Sequence, residues 1–382
     1  MHRFVCISLF VVSLAVYSAF GSSHRGLWVV RYTLLSEQET KDLVITAREL
    51  NITDLYVQVR ALGKIFFVDD ALFTEADTGR ALKNFKYLLN ESHEENIRVH
   101  AWINAFYIYS GNPDLAADTH LLATEQKYLL RTVKHDIPAS SNEYKKAGIE
   151  GFYIDPINKK NLTHINNLIR YLSHSLSVDG IHLDYFRYPD FKFSFSPAGR
   201  TAFILSEYVD PINIYNPQFG FDSMTLMDKK YKEYLKENIA KSLYAINKSV
   251  KDVNKKLELS IAVKPNPLIA KNTYIQDWTS WLEQGLCDKI ILMNYNSDDR
   301  IFYDNIYLTR QFDNNDKIIV GISTFNQQNV SVIKRLNHIG KSDFAGFTLF
   351  SYNDLRLKPD LIKLINKTTV SQNRLGHLNF SH

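Results

Sequence analysis

The stretch DGIHLDYFRYPD, Asp179 to Asp190, sets His182 and Asp184 two residues apart and follows them with Tyr185, Arg187, Tyr188 and Pro189. On an extended chain alternate side chains share a face, so the imidazole and the carboxylate project together while Ile181, Leu183 and Tyr185 project the other way. A carboxylate among aromatic and cationic groups suits glycosidic-bond hydrolysis. There one carboxyl protonates the leaving oxygen and a second acts as nucleophile or base. Asp184 is the first candidate acid. Asp155 in FYIDP is the candidate second, ahead of Glu207, Asp298, Asp299 and Asp354. Asp184 could instead form a structural ion pair with Arg187 or Arg60, with His182 a hydrogen-bonded strut that orients it. His182 and Asp184 would also serve as two metal ligands, but no third ligand stands at a matching spacing, so neither metal nor cofactor is expected.

Other short apolar runs carry polar residues at the same alternation. IRVHAWINAFYI sets His100, Trp102 and Asn104 on one face against Val99, Ala101 and Ile103, and DLYVQVRAL sets Gln58 and Arg60 likewise. Lys264 and Asn294 close two later runs. Together these form a candidate substrate-binding set: Gln58, Arg60, Trp102, Asn104, His182, Tyr185, Arg187, Lys264 and Asn294. Trp102, Tyr107, Tyr109, Tyr185 and Tyr188 offer faces on which sugar rings could stack. Arg60 and Lys264 could bind carboxylate or hydroxyl groups, or balance Asp184.

Positioning these groups at one place requires a particular architecture. Eight β-rich runs recur, beginning near Arg25, Asp54, Ile97, Asp179, Leu257, Asp288, Lys317 and Ala345. Segments of helical periodicity lie between them. SEQETKDLVITARELN opens with Ser36 and Glu39 in a capping-box spacing, NLTHINNLIRYLSHSL puts Ile165, Leu168, Ile169 and Leu172 on one face, and TYIQDWTSWLEQG stops at Gly285. Eight strands alternating with helices predict an α/β fold, a (β/α)8 TIM barrel, whose active sites sit at the C-terminal ends of the strands. Long connections after strands three and four, about Tyr109 to Ile157 and Asp190 to Met224, should wall a cleft there.

Composition is ordinary for a globular chain of 382 residues, 45% hydrophobic and 23% charged, and the formal net charge is +4. No basic stripe is present, which argues against a nucleic-acid partner. Residues 1–21 combine a basic start, an apolar run short for a transmembrane helix and small residues near Gly21, the pattern of a cleaved secretory signal, with a retained membrane anchor as the alternative. Residues 22–367 are then expected to form one barrel domain and residues 368–382 a polar tail, with secreted or periplasmic localisation and no membrane insertion after cleavage. Cleavage would leave Cys287 as the sole cysteine, so no internal disulfide is expected. Asn-x-Ser/Thr triplets occur at Asn51, Asn161 and Asn247.

The segments RGLWVVR, YVQVRALGKIFF, VHAWINAF, IDPINKKNLTHINNLIRYLSHSLSVDGIHLDYFRYP, YIQDWTSWLEQGLCDKIILMNY and GFTLFSYNDL resemble, in order, the motifs of the bacterial glycosyl-hydrolase-like family 10, the domain of unknown function 187. The resemblance runs from about Arg25 to Leu355, and VDGIHLDYFRYP is its most specific block. It implies a (β/α)8 barrel acting as a secreted or envelope glycosidase, in some members on peptidoglycan strands stripped of peptide. Asp184 matches the family's strand-four aspartate, Arg60 its strand-two arginine, Trp102 and Asn104 its third-strand motif, and Asp155 with Pro156 its Asp-Pro turn. Tyr185 stands where many members carry a second acid, and Asn294 where many carry a Pro-Gln end.

The leading expectation is a secreted glycoside hydrolase that cleaves a polysaccharide or oligosaccharide, with peptidoglycan strands as one substrate. A noncatalytic glycan-binding protein on the same scaffold is the alternative. A metal-dependent deacetylase or amidase built on His182 and Asp184 is a third reading.

Overall fold

A computed structural model describes residues 24–66, 75–133, 141–215, 218 and 220–367. The expected leader over 1–21 and the tail over 368–382 lie outside these residues. Eight parallel strands close on themselves: β1 (His24–Val29), β2 (Asp54–Ala61), β3 (Arg98–Asn104), β4 (Gly180–Asp184), β5 (Glu258–Val263), β6 (Lys289–Met293), β7 (Ile318–Ser323) and β8 (Gly346–Phe350). Each pairs with its chain neighbour, and β8 returns to β1 with His24 opposite Gly346, so the sheet has no free edge among these strands. All eight strand-like runs of the sequence are found, and the architecture is the (β/α)8 barrel.

Helices shield the outside. Ser36 caps the first, Glu37–Glu49, by accepting the Glu39 amide at 3.2 Å, the arrangement its spacing predicted, and such a cap contributes about 1 kcal/mol. Helix Lys159–Ser175 buries Ile165, Leu168, Ile169 and Leu172, the stripe read from periodicity. The TYIQDWTSWLEQG segment is helical only over Trp278–Glu283, and Gly285 follows at φ +65°. No helix among the described residues is long and apolar enough to cross a membrane.

Inside the barrel Trp28, Tyr56, Trp102, Ile291 and Ile319 form a separate apolar cluster, with Tyr295 and Phe350 packed on it. At the N-terminal end of the strands Asp54 is clamped by His24 at 3.0 Å, His100 at 2.7 Å and Arg98 at 2.6 Å. A Cβ on Gly180 would fall 2.1 Å from His100 Nδ1, so this position needs glycine for His100 to reach Asp54.

The two long connections fold over the C-terminal ends of β3 and β4. The first contains a small antiparallel pair, Tyr107–Tyr109 with Phe152–Tyr153. The second contains helix Pro197–Glu207 and runs into helix Phe221–Val253. Arg131 of the first donates its amide to Phe195 O of the second at 2.8 Å, so the two loops are stitched together.

Candidate functional site

β4 ends at Asp184, and the chain there turns sharply because Tyr185 adopts φ +52°. That left-handed conformation costs a bulky residue on the order of 1 kcal/mol, and such strain gathers at functional sites. The turn aims the Tyr185 amide at Asp184 Oδ1, 2.6 Å away, and this is the protein hydrogen bond the carboxylate takes among the described residues. Asp184 is 8% exposed. Burial pushes its carboxyl up to about 6, against the pull of the Tyr185 amide, Arg187 and Lys264, while Glu150 adds to the rise. An acid placed so holds a proton near pH 6 and can hand it on.

Arg187 is buried beside it. Its Nη2 donates to Glu150 Oε1 at 2.7 Å, and its guanidinium lies 5.3 Å from the Tyr185 ring, 5.6 Å from Tyr153 and 5.0 Å from Tyr274. Tyr153 donates its hydroxyl to Glu150 Oε2 at 2.9 Å. Burial alone would raise the Glu150 carboxyl, but Arg187, Tyr153 and Lys264 together hold it below the usual range. Lys264 reaches over the Tyr274 ring at 4.7 Å, and burial with the nearby Arg187 brings its ammonium down to about 8. Tyr107 packs on Tyr185 with ring centroids 4.7 Å apart.

The structure brings Asp184, Arg187 and Lys264 together, and Tyr185, which strand alternation set on the face opposite Asp184, joins them after its left-handed turn, with Tyr107 packed on its ring. Gln58, Trp102 and Asn104 also face the interior. Gln58 accepts from Arg31 at 2.8 Å, and Trp102 leaves its indole N–H without a protein acceptor. Deeper down, His182 is fully buried and accepts from Trp28 Nε1 at 3.2 Å. An indole can only donate, so His182 Nε2 is bare and Nδ1 carries the proton toward Ser260 Oγ, 2.9 Å away. Burial and the neighbouring His100 and His24 hold this imidazole well below its ordinary value. It is a strut, as one reading of the sequence had it, but it braces Trp28 and Ser260 and makes no bond to Asp184.

Two residues expected to face inward do not. A bulge in β2 moves the register from Gln58 opposite Trp102 to Arg60 opposite Ile103, which turns Arg60 outward. Its guanidinium bonds the Asn104 carbonyl, Ala105 O at 3.2 Å and, at 2.7 Å, Asn161 on the outer helix Lys159–Ser175. Asn294 also points out. Ile291 takes the inward positions of β6, which leaves Asn294 to donate to Phe302 O at 3.0 Å and accept from Asn305 at 3.0 Å on the helix Asp299–Thr309. Tyr188 is fully buried, and Tyr109 stacks edge-on with His120.

Asp155, the other candidate catalytic carboxyl, takes its hydrogen bonds from Ser196, Ile157 and Tyr188 rather than from the groups around Asp184. Its Oδ2 accepts from Ser196 at 2.6 Å, and its Oδ1 from the Ile157 amide at 3.1 Å and Tyr188 at 3.4 Å. Burial raises its carboxyl to about 6 against those three bonds. A Cβ on Gly199 would lie 2.5 Å from Oδ2, so the start of helix Pro197–Glu207 closes on this carboxyl only because residue 199 is glycine. The other candidate acids have local partners: Glu207 with Lys230, Asp298 with the Arg300 amide, Asp299 with Arg335, and Asp354 with Ser351.

The sequence reading passed over Glu150, Tyr153 and Tyr274. Glu150 stands between Ile149 and Gly151 in a loop without periodicity, and only the small antiparallel pair beside it brings it to Arg187. Among the described residues no group of three or more His, Cys, Asp or Glu side chains could hold a metal ion.

The chain is similar in fold to several solved glycosidases. The catalytic domain of a beta-amylase from Paenibacillus polymyxa superimposes with TM-score 0.57 at 11% identity, covering 91% of this chain and 98% of that one. Alpha-L-fucosidase isoenzyme 2 from Paenibacillus thiaminolyticus gives 0.56 at 11% identity, covering 94% of this chain, which spans about 50% of the fucosidase. The GH36 alpha-galactosidase of Geobacillus stearothermophilus gives 0.54 at 10% identity over 92% of this chain and 41% of that one. At these identities the likeness is one of fold. No curated protein matches the sequence. A family profile described as Glycosyl hydrolase-like 10 matches residues 23–325, most of the barrel, and the chain belongs to that family.

Proposed function

We propose that this protein is a secreted glycoside hydrolase in which Asp184 protonates the leaving oxygen of a glycosidic bond. The observation that carries the reading is the Asp184 carboxyl at the mouth of the barrel, 8% exposed and raised to about 6 by burial. A glycosidase needs an acid that keeps its proton near neutral pH. Tyr107 and Tyr185 offer faces for sugar rings, and the Trp102 indole N–H offers a donor for a sugar hydroxyl. Asp155 serves the same site indirectly, by tying the two loops that wall it.

The substrate is a polysaccharide or oligosaccharide, with peptide-free peptidoglycan strands as the first to try given the family. The test is reducing-end release by purified protein from a glycan panel that includes such strands, with Asp184→Asn alongside. Release by the wild type and at least a hundredfold loss in the variant is expected. Glycan binding without release by the wild type would establish the noncatalytic alternative. Export is tested separately: the protein recovered from outside the cytoplasm should begin near residue 22.

A further inference from the structure

Directly after Asp184 the chain carries Tyr185. Tyr185 is also the residue whose ring lies 6.1 Å from Tyr153, and the Tyr153 hydroxyl holds Glu150. Arg187, three residues past Asp184, holds the other oxygen of the same carboxylate. A carboxylate from the loop after β3 is therefore tied to the end of β4 by the Arg187 bond and oriented within its own loop by Tyr153. Its side chain is 36% exposed, whereas Asp184 is 8% exposed. One acid is enclosed and the other is open to water.

We infer that Glu150 supplies the second catalytic carboxylate of this barrel, as the general base that activates the attacking water. The inference rests on the glycosidase reading above. Glu150 removes one proton from a water molecule whose oxygen bonds to the anomeric carbon, and the bond from that carbon to the glycosidic oxygen breaks. Asp184 gives its proton to the departing oxygen. The sum is one glycoside and one water giving two hydroxyl-bearing products, with no oxidant, reductant or metal required. Attack by water from the face opposite the leaving group inverts the anomeric centre.

The groups facing this pair are Arg187, Lys264, Tyr153 and Tyr185, with Tyr107 behind. Arg187 and the Tyr153 hydroxyl keep Glu150 ionised and oriented, and the Tyr185 amide orients Asp184. Their surroundings push the two carboxyls in opposite directions, Asp184 up to about 6 and Glu150 below the usual range, so below about pH 6 one is protonated while the other is favoured as the ion, the division of labour that two-acid hydrolysis uses.

The experiment compares wild type, Glu150→Gln and Glu150→Ala on the glycan that the wild type cleaves. Glu150→Gln keeps an acceptor for Arg187 and should leave the melting temperature within a few degrees. Its kcat is expected to fall on the order of a hundredfold or more with KM little changed. Its pH profile should lose the acidic limb and keep the basic one. Azide should restore turnover to Glu150→Ala, which an unfolded variant could not show, and the wild-type product should appear first with inverted anomeric configuration. Glu150→Gln retaining kcat within about threefold, or a product of retained configuration, would overturn the assignment while leaving an active glycosidase. A wild type that cleaves no glycan would remove this inference together with the reading beneath it.

Discussion

Arg187 and Glu150 meet at 2.7 Å, joining the segment after the fourth strand to the loop after the third. Arg187 is almost fully buried and its guanidinium packs against three tyrosine rings, so this ion pair is set in protein on one side and open at the carboxylate. Breaking the pair leaves the buried Arg187 guanidinium with only the Tyr188 and Pro189 carbonyls as acceptors among the described residues, at a cost below the roughly 3–5 kcal/mol of a fully buried pair because the carboxylate is open to water. Glu150→Ala should therefore lower stability more than Glu150→Gln does, and denaturant melts of the two variants will check the order.

The pH dependence of activity should carry the mark of Asp184. Its proton is required, and burial places its loss at about 6, so kcat/KM should fall as pH rises through that value. The positive charge of Lys264 favours the ionised form of Asp184. Lys264→Met removes that charge, so the carboxyl holds its proton longer and the basic limb should move to higher pH, by up to about one unit. A limb that stays in place or moves down would show that Lys264 does not act on Asp184.

Stability should respond to pH in the same range through Asp155. Its folded value of about 6 lies above the roughly 3.9 of an unfolded aspartate. The folded protein thus binds more protons between those limits. The contribution is fully present below about pH 4 and is lost as pH rises through 6, a change of roughly 3 kcal/mol. Asp184 contributes a fall of the same sign. Asp155→Asn should flatten the decline, and urea melts between pH 4 and 7 measure it.

Arg60 was legible in the sequence as a residue of consequence, but its task was not. Alternation put it beside Gln58 in the cleft, and a single-residue bulge, a property of strand pairing that one strand does not reveal, turned it outward to Asn161. Arg60→Ala should strip the Asn104 carbonyl and the Asn161 amide oxygen of this donor and leave Ala105 O to Asn161 alone, at a cost of about 2–4 kcal/mol. A calorimetric scan should show a drop of several degrees. If Arg60 bound substrate instead, the melting temperature would hold and KM would rise.

Cys287 offers a simple check of the packing. Its thiol is 5% exposed and burial pushes it far above its ordinary value. Alkylation in native buffer should be slower than in urea by on the order of a hundredfold or more.

What alternation and turn chemistry control was readable. The eight strands, the Ser36 cap, the buried stripe of helix Lys159–Ser175 and the shared face of His182 and Asp184 all follow from local rules. What long-range geometry controls was not. Asn294 follows the alternation of its own strand, but which of the two faces is inward depends on Ile291 meeting Trp28 and Ile319 across the barrel. Glu150 reaches the site only because the loop around it folds back against Tyr107 and Tyr109, a pairing without a local sequence signal.

The most direct measurement is the initial rate of reducing-end release at pH 5 to 6 by wild type and by Asp184→Asn, on the same glycan and with equal folded protein. A wild-type rate well above background, with a loss of at least about a hundredfold in the variant, is the predicted result. Equal rates in the two proteins would contradict the assignment of Asp184 as the acid.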